Sequence, residues 1–309
     1  MRLNKKLFAL TMAATLGASL LTGCSTEEKK TSVGGSDGVF TIAYAPNEST
    51  DQSSDARNGL AKELKEYLGC EVEEIQASDY NAIIEALRTG KADMAYMGAN
   101  AIALGHERAD IVPIVMKAED GDPEKAVYRS VLITSSANED INTIQDIKGR
   151  TIAFVDPDST SGNLVPSSEI ITAFPDENLD MDKLHTNDVF FEAASYSGSH
   201  QAGLQAVVRG DVEIVPISDQ ILASEIANGN VAEGDVKVIH ESGTIPAEAM
   251  VVSADVTEET KEMLTKFLVE YDNEAYFRDV IKKDNARFIE CSIEDYETVI
   301  QLNKVLNEE

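Results

Sequence analysis

From Val39 onward, short apolar runs alternate with segments of helical period, and the alternation runs through the chain twice. Residues 40–44, 71–75 and 92–97 read as strands, with helices between and after them. Leu60, Leu64, Tyr67 and Leu68 recur on one helical face, residues 80–87 form a second helix closed by Gly90, and Asn100 opens a third through Leu104. A second run places strands at 130–134, 151–155, 189–193, 212–217 and 236–239. A short helical turn falls at 144–147, one helix follows residues 159–162, and others cover 201–208 and 219–227. From Thr257 the chain reads as largely helical, with Leu264, Phe267, Leu268 and Tyr271 on one stripe. Repeated strand–helix–strand units imply mainly parallel sheets covered on both faces. Two such units in series can bind a ligand between them, where strand carboxyl ends and helix amino ends meet. An α/β enzyme fits the same pattern.

The start of the chain reads as processing signal. Arg2, Lys5 and Lys6 precede an apolar run, and Leu21-Thr22-Gly23-Cys24 has the lipobox pattern in which the cysteine becomes the lipidated first residue. Residues 1–23 are therefore expected to be a cleaved leader. Residues 24–38, rich in Ser, Thr, Gly, Lys and Glu, read as a flexible tether. About 270 residues remain, which suits two modest lobes. The formal charge is −29, and removing the leader takes away three basic residues and no acidic one. So acidic a body is not drawn to nucleic acid, and contact with membrane is expected through the lipid alone. Cys70 and Cys291 can pair or remain as buried thiols. With no C-x-x-C, clustered His/Cys set or H-E-x-x-H, no metal site and no cofactor is expected.

Two segments carry chemistry. Residues 155–166, V-D-P-D-S-T-S-G-N-L-V-P, run from a strand end through a polar turn into a helix. First-turn amides lack intrahelical partners and the helix dipole favours negative charge there. The hydroxyls of Ser159, Thr160 and Ser161 add neutral donors suited to a tetrahedral oxyanion. Asp158 or Ser159 is equally readable as a helix cap, but three consecutive hydroxyls exceed what a cap needs. A nucleotide P-loop is a poor fit because no K-[ST] follows the glycine. Residues 195–207, S-Y-S-G-S-H-Q-A-G-L-Q-A-V, repeat the strand-to-helix junction with His200 at the helix start. His106, His185 and His240 read as structural or exposed.

These two strings resemble the phosphonate/phosphite-binding proteins of ABC importers. Residues 87–98, L-R-T-G-K-A-D-M-A-Y-M-G, and 242–246, S-G-T-I-P, are similar to the same family, in the same order along nearly the whole chain after the leader. The resemblance implies a two-lobed periplasmic-binding-protein fold with crossovers near 126–130 and 243–247. Lobe 1 would hold 39–128 and 246–309, and lobe 2 would hold 129–245. It also implies a monomer on the extracytoplasmic face of the membrane, or in the periplasm, that delivers a small phosphonate-, phosphite- or phosphate-like anion to ABC permease subunits. Carried over by position, the oxyanion donors are Ser159, Thr160 and Ser161, the ligand histidine is His200, and the tyrosine after the second strand is Tyr80. The pocket carboxylate best matches Asp219. Tyr96 stands among the ligand-facing aromatics, although Tyr96-Met97-Gly98 departs from the Trp-Tyr-Gly of some relatives.

Since the segments that line this pocket contain no Arg or Lys, recognition would rest on dipoles and hydroxyls. Two other readings stand beside it. One is a sensor lipoprotein of the same fold, reporting ligand to a signalling partner. The other is a hydrolase using Ser161, His200 and Asp219 as nucleophile, base and orienter, against which stands the lack of a G-x-S-x-G elbow.

Overall fold

The alternation becomes two mixed sheets in the computed structural model, which describes residues 38–46 and 51–307. The leader, Cys24 and all of the tether but Gly38 lie outside the described residues. In the first sheet the strand order is β11 (Ala286–Glu290), β4 (Val112–Glu119), β10 (Ala249–Val252), β3 (Met94–Met97), β1 (Val39–Tyr44) and β2 (Glu71–Gln76). In the second it is β7 (Ala193–Tyr196), β6 (Thr151–Phe154), β8 (Ile214–Ser218), β5 (Val127–Ser135) and β9 (Val236–Pro246). Around the first sheet lie α1 (Asp51–Leu68), α2 (Tyr80–Arg88), α3 (Ala99–Ala109), α8 (Glu258–Glu270), α9 (Glu274–Asp279) and α10 (Glu297–Asn307). Around the second lie α4 (Val165–Ala173), α5 (Met181–Leu184), α6 (His200–Arg209) and α7 (Asp219–Ala227).

The central strands explain this layering. Met94–Met97 and Ile214–Ser218 are buried along their whole length, as strands covered on both faces must be. Their helices bring matching stripes. Leu60, Leu64 and Leu68 pack α1 onto the sheet, whereas Tyr67, expected on the same face, is 40% exposed and meets the ring of Phe267 at 5.0 Å. Helix α2 starts where Asp79 accepts from the Ala82 amide at 2.8 Å, and its exit bends at Gly90, whose φ of +68° is open to glycine at little cost.

Several expectations change. The sheets are mixed rather than mainly parallel, because β10 inserts antiparallel between β3 and β4, and β5 runs antiparallel to both β8 and β9. Strands β4, β10 and β11 were not anticipated, and β11 interrupts the tail read as helical, pairing with β4 at the sheet edge. The strand expected at 189–193 begins only at Ala193. The chain turns at Asp188, φ +62°, so that Phe190 and Phe191 both reach the core with Phe154 and Phe174, while Val189 is 51% exposed. Cys70 and Cys291 are free, half-buried thiols.

The chain leaves the first sheet after Glu119, enters the second at Val127, and returns between Pro246 and Ala249. Residues 126–130 and 243–247, expected as crossovers, mostly belong instead to a long antiparallel ribbon pairing Val127 with Pro246 and Ser135 with Val236. The Ala247 amide extends this ladder to the Ala126 carbonyl at 3.0 Å, so the sheet change is confined to the residues just beyond it. Val155, Leu164 and Val165, which belong with the second sheet, share one apolar cluster with Ala101 and Leu104 of α3. The two lobes are in contact.

Between β6 and α4 the backbone makes a π turn (Thr160–Leu164), with Leu164 N bonded to Ser159 O at 3.0 Å. Such wide turns often mark functional sites. Gly162 lets the turn lie against β6, since a Cβ there would collide with Val155 Cβ and Cγ2. Gly162→Ala should therefore cost about 1–3 kcal/mol of stability. Gly234→Ala, in open space at an ordinary φ, should stay within about 0.5 kcal/mol of the parent. Urea denaturation compares the two, and equal midpoints would refute the close approach.

Candidate ligand-binding site

Five helical starts meet between the sheets. Tyr80 opens α2, Gly98 is the N-cap of α3, Ser159 the N-cap of the π turn, His200 the first residue of α6, and Ile221 lies in the first turn of α7. All five line one cavity, together with Tyr96, Tyr128, Thr160, Ser161 and Glu248. The structure thus brings together six of the seven ligand residues expected from sequence, drawn from both lobes. The space open to the centre of a water molecule is ≈ 20 Å³. A sphere of that volume, widened by a water radius, reaches about 3 Å from its centre, which is the size of one tetrahedral oxyanion.

The hydroxyl turn is held firmly. Ser159 Oγ accepts from the Gly162 amide at 3.1 Å and so serves as the cap. Asp158 does not cap; its amide donates to Asp156 Oδ1 at 2.9 Å, and its carbonyl accepts from Asn100 Nδ2 at 3.1 Å. Ser130 Oγ donates to the Ser161 carbonyl at 2.6 Å. Thr160 Oγ1 accepts from the Asn100 amide at 2.8 Å, which leaves its own hydrogen for another acceptor. The Tyr128 hydroxyl lies within hydrogen-bonding reach of Ser161 and Thr160, and burial, followed by the nearby Glu248 carboxylate, pushes this phenol far above its ordinary range. It remains a neutral donor.

His200 is 3% exposed, and burial depresses its pKa to about 3. The Ser218 amide donates to His200 Nδ1 at 3.3 Å, so the ring hydrogen sits on Nε2. The side chain is therefore a neutral N–H donor near neutral pH, not an imidazolium. The other histidines are engaged elsewhere: His106 with the Ile111 carbonyl, His240 with Glu169, and His185 with Asn163 and the Met181 carbonyl.

Asp219 is placed outside the cavity lining. Its Oδ1 accepts from the Arg129 amide at 3.1 Å and the Gln220 amide at 2.8 Å, so it ties α7 to the start of β5, and burial raises its pKa. It lines a separate groove with Arg278 and Lys282. The carboxylate in the cavity belongs to Glu248, in the return crossover, which pairs with buried Lys117 at 2.6 Å. Lys117 Nζ stands 5.6 Å from the centre of the Tyr128 ring. Among the described residues no Lys or Arg lines the cavity, yet the Lys117 ammonium lies directly behind it. Tyr128, Glu248 and Asn100 were missed in the sequence. The first two flank the crossovers, and a two-lobed chain brings its crossovers to the floor of the cleft, which is the signal that would have found them.

The chain is also similar to characterised proteins. Residues 42–296 match the family described as "ABC transporter, phosphonate, periplasmic substrate-binding protein". The chain belongs to that family. It is 28% identical over 239 residues to the phosphate-import protein PhnD of Mycolicibacterium smegmatis, covering 75% of this chain and 72% of that one. To the phosphonates-binding periplasmic protein of Escherichia coli it is 26% identical over 215 residues, covering 68% and 59%. In fold it is similar to PhnD1 of Prochlorococcus marinus, solved in complex with methylphosphonate, with a TM-score of 0.74 at 19% identity, covering 88% and 99%. A binding component of an ABC phosphonate transporter from Pseudomonas aeruginosa gives 0.73 at 22% identity, covering 86% of each chain. Members of this family bind substrates for import and are not enzymes. The geometry agrees, because a triad needs His Nδ1 to donate to the carboxylate, whereas His200 Nδ1 accepts from an amide and Asp219 is committed to two others.

The buried neutral His200 gives a pH signature. Unfolded histidine takes a proton near pH 6.5, while His200 in the folded protein resists it down to about 3. Its contribution to stability is complete above pH 6.5 and is lost as pH falls through that window, by at most about 1.4 kcal/mol per pH unit. Carboxylates such as Asp156 and Asp158, whose pKa values burial raises, act in the opposite sense, so a variant must isolate the histidine. His200→Gln should lack this limb, and its stability relative to the parent should improve from pH 7 to pH 4 in denaturant titrations. A difference independent of pH would show that His200 titrates in the fold as it does in the unfolded chain.

Proposed function

We propose that this chain is the lipid-anchored, extracytoplasmic receptor of an ABC importer, and that it takes one small tetrahedral oxyanion of the phosphite, phosphate and methylphosphonate class. The leader is 1–23, lipid is carried on Cys24, and 24–38 is the tether. Lobe 1 is 39–128 with 246–309, and lobe 2 is 129–245. The protein acts as a monomer that presents its closed lobes to the permease.

The observation that carries the ligand class is the convergence of hydroxyls, a neutral imidazole N–H and five helical starts on a cavity the size of one such ion. Each bond to a charged oxygen contributes roughly 1.5–3 kcal/mol, so four or five of them support micromolar or tighter binding. Glu248 supplies discrimination. A carboxylate in an anion site welcomes a ligand oxygen that carries a proton and repels one that does not, so sulfate is rejected. The names of the relatives from M. smegmatis and E. coli, one a phosphate importer and one a phosphonate binder, support the same class.

A thermal-shift panel of phosphite, hypophosphite, phosphate, methylphosphonate, 2-aminoethylphosphonate and sulfate tests this. Ligands of the proposed size should raise the melting temperature by mass action, and sulfate should not. Thr160→Val and Ser161→Ala should each weaken binding of the best ligand about 10- to 100-fold by calorimetry. Affinity equal to that of the parent in both variants would move the site elsewhere.

The anchor has its own test. Among the described residues no helix is long and apolar enough to cross a membrane. Cys24→Ser removes the lipid acceptor and should shift the protein from the detergent to the aqueous phase on phase separation, with ligand binding retained. Unchanged partitioning would disprove lipidation at Cys24.

A further inference from the structure

Thr160, a ligand hydroxyl of one lobe, is held by the other lobe. Helix α3 begins after Gly98, whose lack of a side chain leaves the first-turn amides without a local cap. The Asn100 amide donates to Thr160 Oγ1 instead, so the cap comes from across the cleft. Gly98 leaves room for this, since a Cβ there would stand 3.2 Å from that oxygen. The side chain of Asn100, 2% exposed, adds two bonds. Its Nδ2 donates to the Asp158 carbonyl at 3.1 Å, and its Oδ1 accepts from Asn303 Nδ2 of α10 at 2.6 Å.

We propose that Asn100, oriented by Asn303, is a positioning residue that latches the closed lobes and sets how long the anion stays bound. The inference rests on the oxyanion reading above. The Thr160 oxygen accepts from the Asn100 amide and lies within reach of the Tyr128 hydroxyl, itself a donor, so Thr160 keeps its own hydrogen for a different acceptor, and the cavity is where a ligand oxygen would lie. A ligand that accepts this hydrogen polarises the hydroxyl and strengthens its bond to Asn100. Ligand and latch therefore reinforce one another, and the coupling is reciprocal. Because the latch forms after encounter, it acts on dissociation more than on association.

Asn100→Ala keeps the backbone amide but removes the bonds to Asp158 and Asn303. Asn303→Ala, on the half-buried face of α10, should leave the fold intact and removes the bond to Asn100 Oδ1 while the bond to the Asp158 carbonyl remains. Stopped-flow binding with phosphite and methylphosphonate as probes should show dissociation about 3- to 10-fold faster in Asn100→Ala, and accelerated to a smaller extent in Asn303→Ala. Association should stay within about twofold of the parent in both. A merely structural role would lower the melting temperature without moving the dissociation rate. Amide hydrogen exchange gives a second readout that needs no ligand, since Thr160→Val should speed exchange at the Asn100 amide. Dissociation unchanged in both Asn variants, or exchange at Asn100 unchanged in Thr160→Val, would overturn the latch. If the parent binds neither probe, the oxyanion reading fails instead, and the exchange result alone decides the latch.

Discussion

If a chain of net charge −29 captures an anion, as proposed, its positive potential must come from something other than surface charge. The fold meets this by turning helix amino ends inward. Partial charges on first-turn amides act at contact distance in a closed cavity, whereas salt screens the field of surface carboxylates over ~8–10 Å. The acidic exterior and the anion site are therefore compatible. The order of strands and helices suits the same constraint, since helix starts cluster where strand ends converge, and two lobes would surround the proposed ion from both sides.

Among the described residues the charged side chain in the cavity lining is that of Glu248, and it is balanced. Glu248 sits against Lys117 at 2.6 Å, both largely buried, and the Tyr128 ring lies next to the ammonium. Removing one partner of such a pair leaves the other uncompensated, at a cost of about 3–5 kcal/mol. These residues belong to β4, the start of β5 and the return crossover, where the two lobes join. Charge balance at the cavity floor and the join between the lobes are thus one structure, and a change in either is felt by both.

How much was legible can be judged residue by residue. Ser159, Thr160, Ser161 and His200 were readable because each belongs to a strand-to-helix junction whose chemistry is local. Tyr80 came from the family resemblance alone, as the tyrosine after the second strand. Asp219 was a reasonable choice by position, but its carboxylate is consumed by the Arg129 and Gln220 amides, and that contact links residues ninety positions apart. Strands β10 and β11 escaped notice because their short apolar runs differ little from helix stripes. The same ambiguity made residues 189–193 look like a strand when they turn and bury two phenylalanines.

The sequence by itself determined the alternation that forces two α/β lobes, the donors at each junction and the absence of basic residues among them, because these depend on neighbours a few positions apart. The tertiary structure decided which carboxylate reaches the cavity, which nitrogen of His200 carries the hydrogen, and which lobe holds the Thr160 hydroxyl. Each of those depends on a backbone amide or side chain brought close from a distant part of the chain: Ser218 for His200, Asn100 for Thr160, Lys117 for Glu248. Local periodicity carries no record of such pairings, since they exist only once the sheets have formed and the lobes have met.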